Sequence, residues 1–214
     1  MATYPPDVSP APFDLCGGHP ALDFVNSLNN RFDPEGPKEL LTDYDALLRF
    51  AGETGLLNLP QARALARAVS AAAATRVVRS ARELREAMAA VLYAEAEQRA
   101  PLAADLQMLE RSFHEAERPR HLQWVAADSG VHASLQWQWQ GDQLKAAGFP
   151  VWLIAHAAAQ LMLSDALGHV RACEADSCRW LFLDTSKNQT RRWCNMKVCG
   201  NRAKARRFQE RRTG

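Results

Sequence analysis

The chain has 214 residues, 47% of them hydrophobic and 23% charged, enough to bury a core as one large domain or one domain plus a small module. No apolar run approaches the ~20 residues that cross a bilayer, and Met1-Ala2-Thr3-Tyr4-Pro5-Pro6-Asp7 lacks the basic and apolar regions of a signal peptide, so a soluble cytoplasmic protein is expected. The net charge of +2 hides a division: residues 171–214 carry +8 and residues 1–170 carry −6, which suits a basic segment with an anionic partner attached to an acidic globular body.

Four prolines in the first fourteen residues predict an extended arm. Leu15-Cys16-Gly17-Gly18-His19-Pro20 reads as a turn, and Ala21–Leu28 as either a strand or one short helix, which periodicity does not decide. A loop over Asp33–Pro37 precedes a helix starting near Thr42, where Asp45 supplies a weak capping box. Residues 61–99 are rich in strong helix formers. Unbroken they would span ~58 Å, so two helices or a bend around Ala71–Arg79 is expected. Pro101 opens the next helix, with Leu102, Leu106, Leu109 and Phe113 facing inward.

Leu122, Trp124 and Ala126 alternate, Asp128-Ser129-Gly130 turns, and Leu135, Trp137 and Trp139 alternate again, predicting a β-hairpin with an aromatic face in the core or at an interface. Gly148-Phe149-Pro150 opens an apolar helix running to about Leu167 and ended by Gly168, the expected central buried helix. The fold class expected is α+β: a mainly helical body over residues 1–168 and a small module over 169–214.

In that module Cys173 and Cys178 are separated by four residues, Cys178 and Cys194 by fifteen, and Cys194 and Cys199 by four. Two short-spaced thiol pairs brought together by a folded-back segment suit a tetrahedral zinc ion. The alternatives are four buried small hydrophobes or an iron–sulfur cluster. Arg179–Leu183 is expected as a strand, Asp184–Asn188 as a turn and Thr190–Trp193 as the return strand. Four protein thiolates close the coordination sphere, so the ion would fold the module rather than catalyse.

Past Cys199 the chain reads as a basic helix. Lys204, Arg207 and Arg211 form one row and Arg202 with Arg206 another, while Asn201, Ala205 and Phe208 could pack back on the module. With Arg191 and Arg192 added, this array is the candidate nucleic-acid surface, since neutralising phosphates requires clustered cations. The plainer alternative is a solvated basic tail.

Cys199-Gly200-Asn201-Arg202, the paired cysteines, Phe182-x-Asp184-x-Ser186 and Arg192-Trp193-Cys194 resemble the CGNR zinc-finger family of bacterial proteins. Gly18-His19-Pro20-Ala21-Leu22-Asp23-Phe24-Val25-Asn26-Ser27, with Leu40 and Tyr44-Asp45-x-Leu47-Leu48, resembles the companion ABATE domain. The resemblance implies a treble-clef-like finger, zinc ligands Cys173, Cys178, Cys194 and Cys199, and a stress-responsive transcription regulator that binds nucleic acid, double-stranded DNA first. The body would then sense a small-molecule effector or form a homodimer.

For such a ligand the candidates are His19, Asp23, Asn26 and Arg31. The competing reading is that they cap and hydrogen-bond the turn after Gly17-Gly18. No H-E-x-x-H, G-x-S-x-G or P-loop occurs, so a non-enzymatic protein is expected. Two other readings stay open: an RNA-binding or ribosome-associated module, and a small-molecule-binding protein or enzyme whose finger is structural or docks protein.

Overall fold

The computed structural model describes residues 12–126 and 132–213, the side chains of Arg207, Glu210, Arg211 and Thr213 excepted. Most of the expected N-terminal arm and the Asp128-Ser129-Gly130 turn lie outside the described residues. Among them are seven α-helices and three two-stranded antiparallel sheets.

The ambiguous segment after the glycine turn is a helix, α1 (Pro20–Asn26). Pro20 occupies its first turn, and the His19 ring accepts the Ala21 N–H at 3.2 Å as N-cap. Ala21 through Asn26 are all buried, because α1 lies in the middle of the body. That explains the absence of a polar face. Strand β1 (Leu28–Asn29) pairs with β2 (Lys38–Glu39). Helix α2 (Tyr44–Glu53) is capped by Asp43, one residue beyond the expected Thr42, whose carboxylate accepts the Ala46 N–H at 2.8 Å.

The long helical stretch divides, but earlier than expected. Helix α3 (Leu59–Ala68) opens with an Asn58–Gln61 capping box, Val69 is extended, and Ser70 caps α4 (Ala71–Ala96). A β-branched residue followed by a good N-cap stops one helix and starts the next. Helix α5 (Ala103–Glu117) starts two residues past Pro101, and only Leu109 and Phe113 of its four expected inward residues turn toward the core, Leu102 and Leu106 being exposed. Strands β3 (Arg120–Val125) and β4 (Ser134–Trp139) form the expected hairpin, with Leu122 opposite Trp137 and Trp124 opposite Leu135. Its aromatic face is not core. Trp139 packs on Phe149 and His156, but Trp124 (64% exposed), Trp137, Leu122 and Leu135 stand out beyond the body.

Helix α6 (Phe149–Met162) is the buried apolar helix expected, and it stops at Leu163 rather than Leu167. A 3-10 turn over Asp165–His169 takes in Gly168 and leads straight into β5 (Val170–Ala172). The partner of β5 is β6 (Leu181–Leu183), with Val170 opposite Leu183 and Ala172 opposite Leu181. Residues 190–193 therefore form no return strand, although the Glu174 N–H still bonds the Arg192 carbonyl at 2.9 Å. A π-turn over Met196–Gly200 opens directly into α7 (Asn201–Thr213).

Two buried clusters result. The larger joins α1, α2, α4 and α6 through residues such as Phe24, Phe50, Met88, Leu92 and Ile154. The smaller gathers Cys173, Ala175, Trp180, Phe182, Cys194 and Cys199. They meet at β5–β6, where Val170 and Leu181 belong to the larger cluster while Phe182 belongs to the smaller.

Candidate metal centre and the basic helix beside it

Alternation along β6 sends Leu181 one way and Phe182 the other, so a single short strand ties the module to the body. Asn26, at the end of α1, completes the joint. Its carboxamide accepts the Leu181 N–H and donates to the Leu181 carbonyl, both at 2.9 Å. Nearby, the Gly17 carbonyl takes the Leu183 N–H at 2.8 Å and the Tyr93 hydroxyl donates to the Arg179 carbonyl at 2.9 Å.

Cys173 and Cys178 flank a tight turn between β5 and β6. The Cys178 N–H bonds the Ala175 carbonyl at 2.8 Å, and Arg179 takes a positive φ of 55° to leave the turn. Cys194 and Cys199 flank the entry to α7, where the Cys199 N–H bonds the Asn195 carbonyl at 2.9 Å. The four sulfurs lie within 4.8 Å of one another. Cys178 is 3.6 Å from Cys194, and Cys194 is 3.8 Å from Cys199. A tetrahedral ion with bonds of about 2.3 Å needs sulfur–sulfur edges of about 3.8 Å, so these four residues fit one.

The electrostatics agree. The Cys178 and Cys194 thiols, with the Ala175 and Cys194 backbone N–H groups, push Cys173 down toward thiolate. The hydrogen bond with Cys173 pushes Cys178 up, contact with Cys16 and the other thiols pushes Cys194 up, and burial pushes Cys199 up. Four thiolates this close together repel one another, and a cation between them offsets that repulsion.

The loop from β6 to Cys194 is organised by two residues that the sequence reading did not single out for this role. The buried Asp184 carboxylate accepts the Ser186 hydroxyl at 2.6 Å, the Ser186 N–H and the Arg191 N–H, which hold its pKa below the usual range. The Arg191 guanidinium sits 4.3 Å over the Phe182 ring and donates to the carbonyls of Trp193, Cys16 and Cys194. Arg191, read from sequence as a cation for nucleic acid, is thus committed to holding the module together.

The remaining candidate cations whose side chains are described face outward. Arg192 pairs with Glu174 and stacks over Trp193. Along α7, Arg202 reaches the Ser177 hydroxyl at 3.4 Å, Arg206 pairs with Asp176 at 3.2 Å, and Lys204 is exposed. The side chains of Arg207 and Arg211 lie outside the described residues. Of the three residues expected to pack back on the module, Asn201 does so through its amide, which donates to the Lys197 carbonyl at 3.0 Å, while Ala205 and Phe208 are exposed, Phe208 at 63%. Among the described side chains of α7 none is buried, so its periodicity has no buried face to encode there.

The four body residues raised as ligand candidates all have partners within the chain. His19 caps α1, and burial lowers its pKa. The Asp23 carboxylate accepts the Gly17 N–H at 2.8 Å, so closely that a Cβ at position 17 would meet its oxygen at 2.7 Å. Asn26 holds Leu181 as above, and Arg31 pairs with Glu86 and reaches the Val25 carbonyl. They satisfy the turn and its neighbours rather than converge on a cavity.

Compared with known proteins, residues 18–165 match the ABATE family model, which carries the description "Putative stress-induced transcription regulator". Residues 169–212 match the CGNR zinc finger. A comparison with curated proteins returned no match. With the ABATE model spanning well over half of the residues, the chain belongs to the ABATE family and carries a CGNR zinc finger on its C-terminal side.

Proposed function

We propose that the protein is a DNA-binding transcription regulator in which Zn2+ on the four thiolates anchors α7 and α7 lays its cations along the phosphate backbone. The observation that carries this reading is the exposed array of Arg202, Lys204 and Arg206 on a helix that starts immediately after a metal ligand, Cys199. Arg192 extends the array on the module, and Arg207 and Arg211 belong to the same helix by sequence. The surface pairs of Arg206 and Arg192 with Asp176 and Glu174 are exposed and exchange readily for phosphate. On this reading the ion is structural, because four protein ligands leave no coordination position for a substrate. The ABATE body then senses an effector or forms a dimer.

Binding of the zinc-loaded protein to duplex DNA across a salt series tests the reading. Each phosphate contact contributes a slope of about −0.9 in log K against log salt. Replacing Lys204, Arg206 and Arg207 with Ala should therefore flatten the slope by about three and weaken binding at low salt. Duplex binding that is absent, or indifferent to the triple substitution, would sink it. A clear preference for structured RNA would move the same surface to an RNA-binding role.

A further inference from the structure

The β3–β4 hairpin divides its side chains by alternation. His121, Gln123, Gln136 and Gln138 point to one face, and Arg120, Leu122 and Trp124 share the other with Leu135, Trp137 and Trp139. At the body end of that second face Trp139 packs on Phe149 and His156, while Arg120 pairs with Glu117 and stacks over Trp139. The two outer rungs, Leu122–Trp137 and Trp124–Leu135, have no such cover: their four side chains are between 54% and 64% exposed.

A two-stranded hairpin is marginal in water unless a further layer covers its apolar face. At these exposures the four side chains present on the order of 500 Å² of contiguous apolar surface, the size at which a patch on a monomer is often functional.

The pattern on the two rungs selects what fits. In the antiparallel register Leu122 and Leu135 lie on one diagonal, and Trp124 and Trp137 on the other. A half-turn about the normal to the face exchanges the leucines with each other and the tryptophans with each other. A second copy can be turned over onto this face by a two-fold axis in the interface plane, along or across the strands. Either axis sets every leucine against a tryptophan of the other copy. Large against small is how facing layers interdigitate, and a surface that matches itself under a two-fold axis is what an isologous dimer requires. No charged residue stands among the four, and Arg120 behind them is already paired, so two copies bring no like-charge repulsion to the contact. Face to face they bury about 1,000 Å² in total, the lower bound for a specific interface. Such a dimer is weak and dissociates on dilution.

We propose that the outer half of the β3–β4 hairpin is a homodimer interface, in which the Leu122–Trp137 and Trp124–Leu135 rungs of two copies pack face to face. This rests on the reading of the body as a dimerising domain and is independent of any contact between α7 and DNA.

The test is the mass of the zinc-loaded full chain in sedimentation velocity, over a concentration series through the micromolar range. Two variants put like charges on the face: Leu122→Lys with Leu135→Lys, and Leu122→Glu with Leu135→Glu. A third, Gln123→Lys with Gln136→Lys, charges the opposite face. Circular dichroism and thermal melts check that all three fold. The wild type is expected to pass from monomer to dimer as concentration rises. Each leucine variant should weaken the dimer about 100-fold or more, and an equimolar mixture of the two should associate again. The glutamine variant should dimerise like the wild type. A second readout needs no charged variant: wild-type tryptophan emission should shift to the blue as the dimer forms, and Trp124→Phe with Trp137→Phe should remove that shift.

A wild type that stays monomeric overturns the proposal; if that monomer sediments with phosphatidylcholine vesicles, the face belongs to a lipid surface instead. A dimer that forms without the blue shift, ignores the leucine charges, or is lost equally with the glutamine charges overturns it too. So do leucine variants that fold yet fail to re-associate when mixed. The salt slope of duplex binding tests α7 separately, so either reading can fail alone.

Discussion

Asn26 shows how much one polar side chain can organise when it is buried. Both ends of its carboxamide are spent on the Leu181 peptide, so α1 and the zinc module share an edge that resembles a strand pairing. Removing one partner of buried bonds leaves the other unsatisfied, at about 1–3 kcal/mol. Asn26→Ala should therefore destabilise the protein by about 2 kcal/mol and speed protease cleavage near Cys173, which denaturant melts and limited proteolysis would detect; an unchanged melt would contradict the joint.

Asp23 lies three residues earlier and is strained electrostatically. Burial raises its pKa to about 6, with Asp14 adding to the effect and the Gly17 N–H opposing it. A carboxyl whose folded pKa exceeds its unfolded value stabilises below the unfolded value, and that stability is lost as pH rises through about 6. Asp23→Asn can still accept the Gly17 N–H without carrying the charge. Relative to wild type, the variant should gain about 1–2 kcal/mol in stability between pH 5 and pH 8, and a pH-independent difference would show that Asp23 is not strained.

Among the elements, the β1–β2 ladder is too short to stand alone, and a buried ion pair fastens it to α4. Arg85, nearly fully buried, makes two 2.7 Å bonds to Glu39, a third contact at 3.3 Å to Ser27, and one at 2.9 Å to Glu86. Burial alone would raise the Glu39 pKa, but the Arg85 hydrogen bonds and charge hold it below the usual range. Cutting Glu39 leaves the buried Arg85 charge with Glu86 alone, so Glu39→Ala should cost about 2 kcal/mol. Glu39→Ala combined with Arg85→Met should recover much of that loss in urea unfolding.

Helix α7 is the opposite case. With Phe208 exposed and no buried side chain among those described, its helicity is expected to depend on the turn that carries Cys199 at its start.

Across the molecule, the two buried clusters predict unequal dependence on the metal. The body core is made by helices that need no ion, whereas the module's own core is built around the four ligands. Chelation at neutral pH should lower helical circular dichroism only by the share of α7 and open the module to protease, while the body still melts cooperatively. Because thiols must lose protons to bind, retention of one Zn2+ per chain should fall steeply on acidification, and Cys178→Ser should release the ion at a higher pH than wild type.

Local chemistry and periodicity by themselves determined the helical body, the hairpin, the buried apolar α6 and the four clustered cysteines. Each is written within a few residues: a capping box, an alternation, an all-apolar run, two C-x4-C pairs. Tertiary structure decided that β5 rather than residues 190–193 pairs with β6, because strand partners are chosen by what both faces can bury. It also decided that Arg191 turns inward while Arg192 stays out, and that His19 and Asp23 bond the turn before α1 while Asn26 bonds Leu181. A polar side chain has no intrinsic destination; the groups left unmatched around it in the folded chain supply one.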